Sequence, residues 1–243
     1  MRLRFLVKNK KHRAKLLISL LLIFAVMSAA SALVRGCDMR TADGQLLHPV
    51  RAVYTEENIY AVTATLYGNE DEKDIELLLT VSEGLGVNIT FFADADWAKH
   101  NRDIAKKLNK AASHGLFIDK KLNSKARSSV LEYIAKNNDL FFEQNGKYPK
   151  YVRFSYEPDQ TLLRILNAYG QYCISYDVEL LSEDMYIIQR GSIVDVGVID
   201  DSTAYKLARA VSGAISNGMT CIGLESFLHE IGSETDEFGK QYA

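Results

Sequence analysis

Apolar and polar positions alternate between two periods along most of this chain. An apolar run at 59–66 ends in Tyr67-Gly68-Asn69 and reads as a buried strand entering a tight turn. Over 71–85, Ile75, Leu78, Leu79, Ser82 and Leu85 recur on one helical face, and Gly84 and Gly86 close that helix. The alternation then repeats. Strands are predicted at 87–92, 115–118, 151–154, 171–176, 192–199 and 220–224. Helices are predicted at 94–113, 124–144, from 158 to about 169, and at 202–217. Regular β-α alternation implies parallel strands with helical crossovers. About seven such repeats fit an α/β fold of the distorted or incomplete (β/α) barrel type better than an open doubly wound sheet, the second choice.

Residues 16–34 break this pattern. They form an uncharged run, and seven Lys or Arg residues with no acid precede it within the first fifteen positions. At about 1.5 Å rise per residue such a run just crosses a bilayer core of about 30 Å. The basic flank predicts a cytoplasmic N-terminus with the body outside. Two readings stay open. One is a retained single-pass anchor at the cell membrane. The other is a secretory signal cleaved near Ala32, at the A-x-A pattern Ala30-Ser31-Ala32. The expected organisation is a basic head at 1–15, the membrane or signal helix at 16–34, a linker at 35–57, the α/β domain at 58–230 and a tail at 231–243.

Composition adds mainly exclusions. A net charge of -2 over 243 residues gives no basic field for nucleic acid. Cys37, Cys173 and Cys221 are too few and too scattered for a disulfide framework or a zinc knuckle, so Cys173 and Cys221 read as buried free thiols. Neither a G-x-G-x-x-G fingerprint nor a P-loop follows the first strand.

The order of several short landmarks is more specific. Ala64-Thr-Leu-Tyr-Gly-Asn69, Leu85-Gly-Val-Asn-Ile-Thr-Phe-Phe92, Tyr148-Pro-Lys-Tyr-Val-Arg-Phe-Ser-Tyr156, Gly191-Ser-Ile-Val194 and Met219-Thr-Cys-Ile-Gly-Leu-Glu-Ser-Phe-Leu228 follow one another across the body. Together they resemble the NodB-type polysaccharide deacetylase domain. Its corresponding segments are T-F-D-D-G-P, G-V-x-A-T-F-F, K-P-x-F-F-R-P-P-Y, G-S-I-x-L-x-H and the closing strand and helix. The resemblance implies a distorted (β/α) barrel. It also implies a divalent metal, usually zinc, held by one Asp and two His, with a second Asp as general base and a late His as acid.

The residues needed for that chemistry are missing from the matching positions. The two acidic positions fall on Leu66 and Tyr67, the two His ligands on Lys120 and Ser124, and the late His on Gly197. Arg153 and Tyr156 are retained from the R-P-P-Y segment. Candidates for ligand binding are therefore Arg153, Tyr156, Trp97 and Asp195, with core packing the simpler reading of Trp97, a satisfied interior or rim carboxylate that of Asp195, and a structural ion pair equally open for Arg153 and Tyr156. Asp94, Asp96 and His100 could rebuild a metal site, though helix capping by Asp94 and a solvated helix face explain them more simply. Asp200, Asp201 and His114 read as rim or helix-end residues.

The expected function is an exported or membrane-anchored deacetylase-like module at the cell envelope. It would lack metal-dependent hydrolysis and bind a cell-wall glycan or an envelope protein, with no cofactor and no nucleic acid. The alternative is an active carbohydrate N-deacetylase that holds zinc in a rearranged site. A third reading, an α/β barrel adapted to an unrelated small ligand, has no motif behind it.

Overall fold

A computed structural model describes residues 46–180, 188–231 and 233–242. The basic head and the apolar run at 16–34 lie outside the described residues, as does Cys37. Among the described residues no helix is long and apolar enough to cross a membrane.

In chain order the elements are β1 (Ala52–Val53), β2 (Ile59–Leu66), α1 (Glu72–Gly84), β3 (Ile89–Ala93), α2 (Trp97–His100), α3 (Arg102–Ala111), β4 (Ser113–Ile118), α4 (Arg127–Asn145), β5 (Tyr151–Phe154), α5 (Gln160–Ala168), β6 (Tyr172–Cys173), β7 (Val178–Glu179), β8 (Ile193–Asp195), α6 (Thr203–Ser216), β9 (Thr220–Cys221), α7 (Leu224–Phe227) and β10 (Lys240–Gln241). The main sheet runs β6-β5-β4-β3-β2-β8-β7, with β9 added to the start of β2. Every pairing in it is parallel. It is the curled α/β sheet that the alternating periods predict.

Local chemistry sets the element ends. Asp71 caps α1 by accepting from the Lys73 amide, and Glu72 and Asp74 place negative charge on the first turn, where the helix dipole favours it. Asp159 caps α5 through the Leu162 amide. α4 ends at Gly146, whose φ of 70° suits a residue without Cβ. The single helix expected over 94–113 is instead two. At Asn101 the backbone leaves the helical region (φ -123°, ψ 49°), and the Asn101 side chain turns back to the Trp97 carbonyl at 3.0 Å. This is the local competition by which Asn interrupts helices.

Strand parity divides the core into layers. Tyr60, Val62, Ala64 and Leu66 of β2 face the helices and pack with Ile75 and Leu78 of α1 and Leu207 and Val211 of α6. Leu116, Ile118 and Val152 join Val130, Ile134, Leu162 and Leu166 of α4 and α5 in a second helix-side cluster. The opposite parity, Ala61, Phe92, Phe117, Tyr151 and Ile193, forms the interior of the curl. Burying each of these large side chains stabilises the fold by about 1.5–3 kcal/mol. Cys173 and Cys221 are free thiols, and burial raises the pKa of both, that of Cys221 to about 11.

Residues from the expected linker and tail pack against the sheet. The segment before β2 bridges β6 and the start of β8. The Val50 amide donates to Cys173 O at 2.8 Å, Ser175 donates back to Val50 O at 2.8 Å, and Val53 donates to Gly191 O at 2.7 Å. β10, from the supposed tail, pairs in parallel with β1. Tyr54 and Tyr242 stack at 5.6 Å beside that ribbon.

Gly191 is the tightest point of this closure. Its φ is 77°, and a Cβ there would lie 2.0 Å from the Val53 carbonyl oxygen. Gly191→Ala is expected to destabilise the domain by about 2 kcal/mol or more, read as a lower urea midpoint. An unchanged midpoint would show that the segment at 50–53 does not seal the sheet.

Candidate functional site

Because the strands are parallel, their C-terminal ends share one side, and the loops that follow them form a mouth. Strand parity decides what reaches it. Leu66 is 1% exposed and points into the helix-side layer. Its neighbour Tyr67 is 56% exposed and rests edge-on against Phe117, with ring centroids 5.2 Å apart. Gly68 turns the chain with φ of 92°. Glu70 folds back over this turn, accepting from the Tyr67 amide and, at 2.9 Å, from the Gly68 amide.

Below Tyr67 lies a buried polar network. Arg153 and Asp195 are each 3% exposed and form an ion pair. Arg153 Nη1 also donates to Thr65 Oγ1 at 3.0 Å, and Nη2 to Thr63 Oγ1 at 2.8 Å and to Ser175 O at 3.4 Å. Its Nε reaches Ile174 O at 3.4 Å. All five guanidinium N–H groups thus have acceptors. The guanidinium also lies 4.3 Å from the Phe92 ring centroid and 5.5 Å from that of Tyr176. Asp195 accepts from Thr63 Oγ1 at 2.9 Å and from the Gly197 amide at 3.0 Å. The network is closed: neither charge is left over for a ligand. Arg153 and Asp195 form a structural pair with each other.

The other sequence candidates are dispersed. Tyr156 donates its hydroxyl to Lys120 O and accepts from the Leu122 amide, both at 2.9 Å, so it ties the loop after β4. Trp97 is 7% exposed in the helix-side layer, so its ring is core and not a stacking platform. Asp96 pairs with Lys99 at 2.7 Å, and that hydrogen bond lowers its pKa. Asp94 caps the following turn through the Asp96 amide at 2.8 Å, and His100 Nδ1 lies 3.1 Å from Asp96 O. These three residues do not converge. Asp200 bonds Ser202 and Thr203 at the start of α6, a capping role that the sequence suggested for Asp201.

The positions where the resemblance implies a metal do not suit one. Tyr67 is a phenol whose pKa is raised, chiefly by burial and then by Asp195, so it is a poor anionic ligand. The Lys120 ammonium sits 4.6 Å from the Tyr133 ring centroid. Ser124 has φ of 62°, and its amide is bonded to Asp159 at 3.0 Å. No three His, Cys, Asp or Glu side chains come together as a metal site among the described residues.

Two mouth residues escaped the sequence reading. Tyr176 donates to Glu179 Oε2 at 3.2 Å. Burial, followed by the charges of Glu179 and Asp195, raises the Tyr176 pKa. Glu179 sits in a two-residue strand, too short to leave a periodic signal.

His114 serves structure. It lines a cavity of about 30 Å³ with Trp97 and Asp94, on the helix side of the sheet. Burial, and then the charge of Lys147, lowers its pKa, against a backbone hydrogen bond to Leu108 that raises it.

No known family profile matches the sequence, and no curated protein is detectably similar. Solved structures do match. A CE4 family pseudoenzyme from Bacillus anthracis superposes with a TM-score of 0.65 at 14% identity, over 80% of this chain and 73% of that one. The Bc1960 peptidoglycan N-acetylglucosamine deacetylase gives 0.62 at 14%, over 74% and 92%. A chitin deacetylase from the fungal pathogen Colletotrichum lindemuthianum gives 0.61 at 16%, over 75% and 92%. At these identities the likeness concerns the fold, which is a divergent form of the NodB-type polysaccharide deacetylase fold.

Two outcomes follow from the buried groups. Arg153→Met or Asp195→Leu alone is expected to cost about 3–5 kcal/mol, because each strands a buried charge. The double variant is expected to recover much of that loss in urea unfolding. Additive losses would show that the pair is not coupled. The lowered His114 pKa gives a second test. Its stabilising effect is complete above the unfolded value of about 6.5 and is lost as the pH falls below it, because the unfolded chain then binds the extra proton. His114→Gln is expected to flatten the fall in urea midpoint between about pH 6.5 and 5.

Proposed function

We propose that this chain is a deacetylase-fold module of the cell envelope that binds glycan at its mouth without metal-dependent hydrolysis. The observation that carries this reading is the state of the mouth. Tyr67 stands where the resemblance implies an acidic residue, and the Arg153–Asp195 pair beneath it is neutralised and fully hydrogen-bonded. A hydrolase of this kind needs a polarised carbonyl, an activated water and a base. Here the carboxylate below the mouth is committed to an arginine. What is offered instead is aromatic surface, from Tyr67 and Tyr176, over a rigid polar floor.

Glycan is favoured as the ligand because exposed aromatic rings suit the apolar faces of sugar rings. The structural neighbours named as peptidoglycan and chitin deacetylases are consistent with this choice. The envelope location rests on the basic head and the apolar run at 16–34. Either an anchored or an exported form would place the mouth outside the cytoplasm.

The test uses the full chain in detergent with zinc and N-acetylglucosamine oligomers. Acetate release is expected at the level of the protein-free control, and dialysed protein should carry much less than one zinc per chain. Binding to insoluble peptidoglycan is expected, with Tyr67→Ala weakening it by about 2- to 10-fold, the range for losing one aromatic contact. Acetate release above the control would overturn the non-hydrolytic reading. Absence of binding would overturn the glycan reading.

A further inference from the structure

Hydrogen-bond accounting at the mouth points to one chemical class of ligand, and this inference rests on the glycan reading above. Several N–H groups there are already committed. The Tyr67 and Gly68 amides are taken by Glu70, the Gly197 amide by Asp195 and the Ser155 amide by Ile118 O. Every N–H of Arg153 is committed below. An N-acetyl group presents a carbonyl oxygen, which needs such a donor. These groups offer it none.

Acceptors, by contrast, are open. Glu179 has a single hydrogen bond among the described residues, from the Tyr176 hydroxyl to Oε2, and no cationic partner there. Its Oε1 lies beside Gly197, where a Cβ would approach to 3.4 Å. The Tyr67 pKa is raised chiefly by burial, then by Asp195, with Arg153 opposing and Glu179 and Asp119 adding to the rise. A carboxylate next to aromatic rings is an arrangement that attracts a cation. The ring quadrupoles and the negative charge act in the same direction.

We infer that the mouth recognises a free ammonium on the glycan, with Glu179 as its counter-ion and Tyr67 and Tyr176 as the aromatic walls. The ligand class is an amino sugar with an unsubstituted amine, in preference to its N-acetylated form. The site reads a de-N-acetylated position and forms or breaks no covalent bond there.

The experiment is calorimetric titration of the detergent-solubilised full chain with a glucosamine tetramer and, separately, with an N-acetylglucosamine tetramer. Wild type, Glu179→Gln and Tyr176→Phe are compared at low and moderate salt. The glucosamine tetramer is expected to bind at least about tenfold more tightly to the wild type, with affinity falling as salt rises. Glu179→Gln is expected to reduce that preference to about threefold or less. Tyr176→Phe, which keeps the ring and the carboxylate, is expected to retain most of it. Equal or tighter binding of the acetylated tetramer overturns the ammonium inference and leaves the glycan reading standing. A preference that survives Glu179→Gln also overturns it, since the charge would then be read elsewhere. If neither tetramer binds, the glycan reading itself fails.

Discussion

The mouth is built on one buried ion pair. Arg153 comes from β5 and Asp195 from β8, strands on opposite sides of β2 in the sheet order. The two meet inside the curl because Thr63 and Thr65 of β2 supply hydroxyls at the right height. A buried charge without a partner costs several kcal/mol, so the pair holds only if every lone pair and every N–H is matched. This requirement fixes the register of three strands at once. It also places Phe92 and Tyr176 against the guanidinium.

The same closure accounts for the chemical character of the mouth. An arginine beside a free carboxylate would tune that carboxylate for proton transfer. Here the carboxylate is also locked by a threonine and by the Gly197 amide. Stability and catalysis place opposite demands on such a group, since catalysis needs it exposed and incompletely satisfied. The chain meets the structural demand. With Leu66 turned into the helix-side layer, a carboxylate at that position would also face away from the mouth in this backbone.

Much of the fold was legible because it is periodic. The run at 59–66 and the face formed by Ile75, Leu78 and Ser82 became β2 and α1 nearly at the expected limits. β1, β7 and β10 were not visible, because two-residue strands owe their existence to partners distant in sequence. The break at Asn101 was hidden by the good helical pattern on either side. In the site, Arg153 and Asp195 could be named separately, but their pairing depends on strand order, which a linear pattern does not encode. For Trp97 the simpler of the two sequence readings, core packing, agrees with its burial. Glu179 lacked any signal, since among the described residues its carboxylate has no cationic partner that a sequence pattern could reveal.

The ribbon of β1 and β10 bears on how the molecule is made. Ala52 pairs with Lys240, so this contact joins residues 188 positions apart (240 minus 52). Such long-range closure is among the slowest kinds of contact to form. A chain that emerges N-terminus first must hold β1 unpaired until nearly all of the domain has followed. Val50 and Val53, which end up buried, find their first partners only at 173–175 and 191. The domain therefore completes its closure only after the last strand has been made.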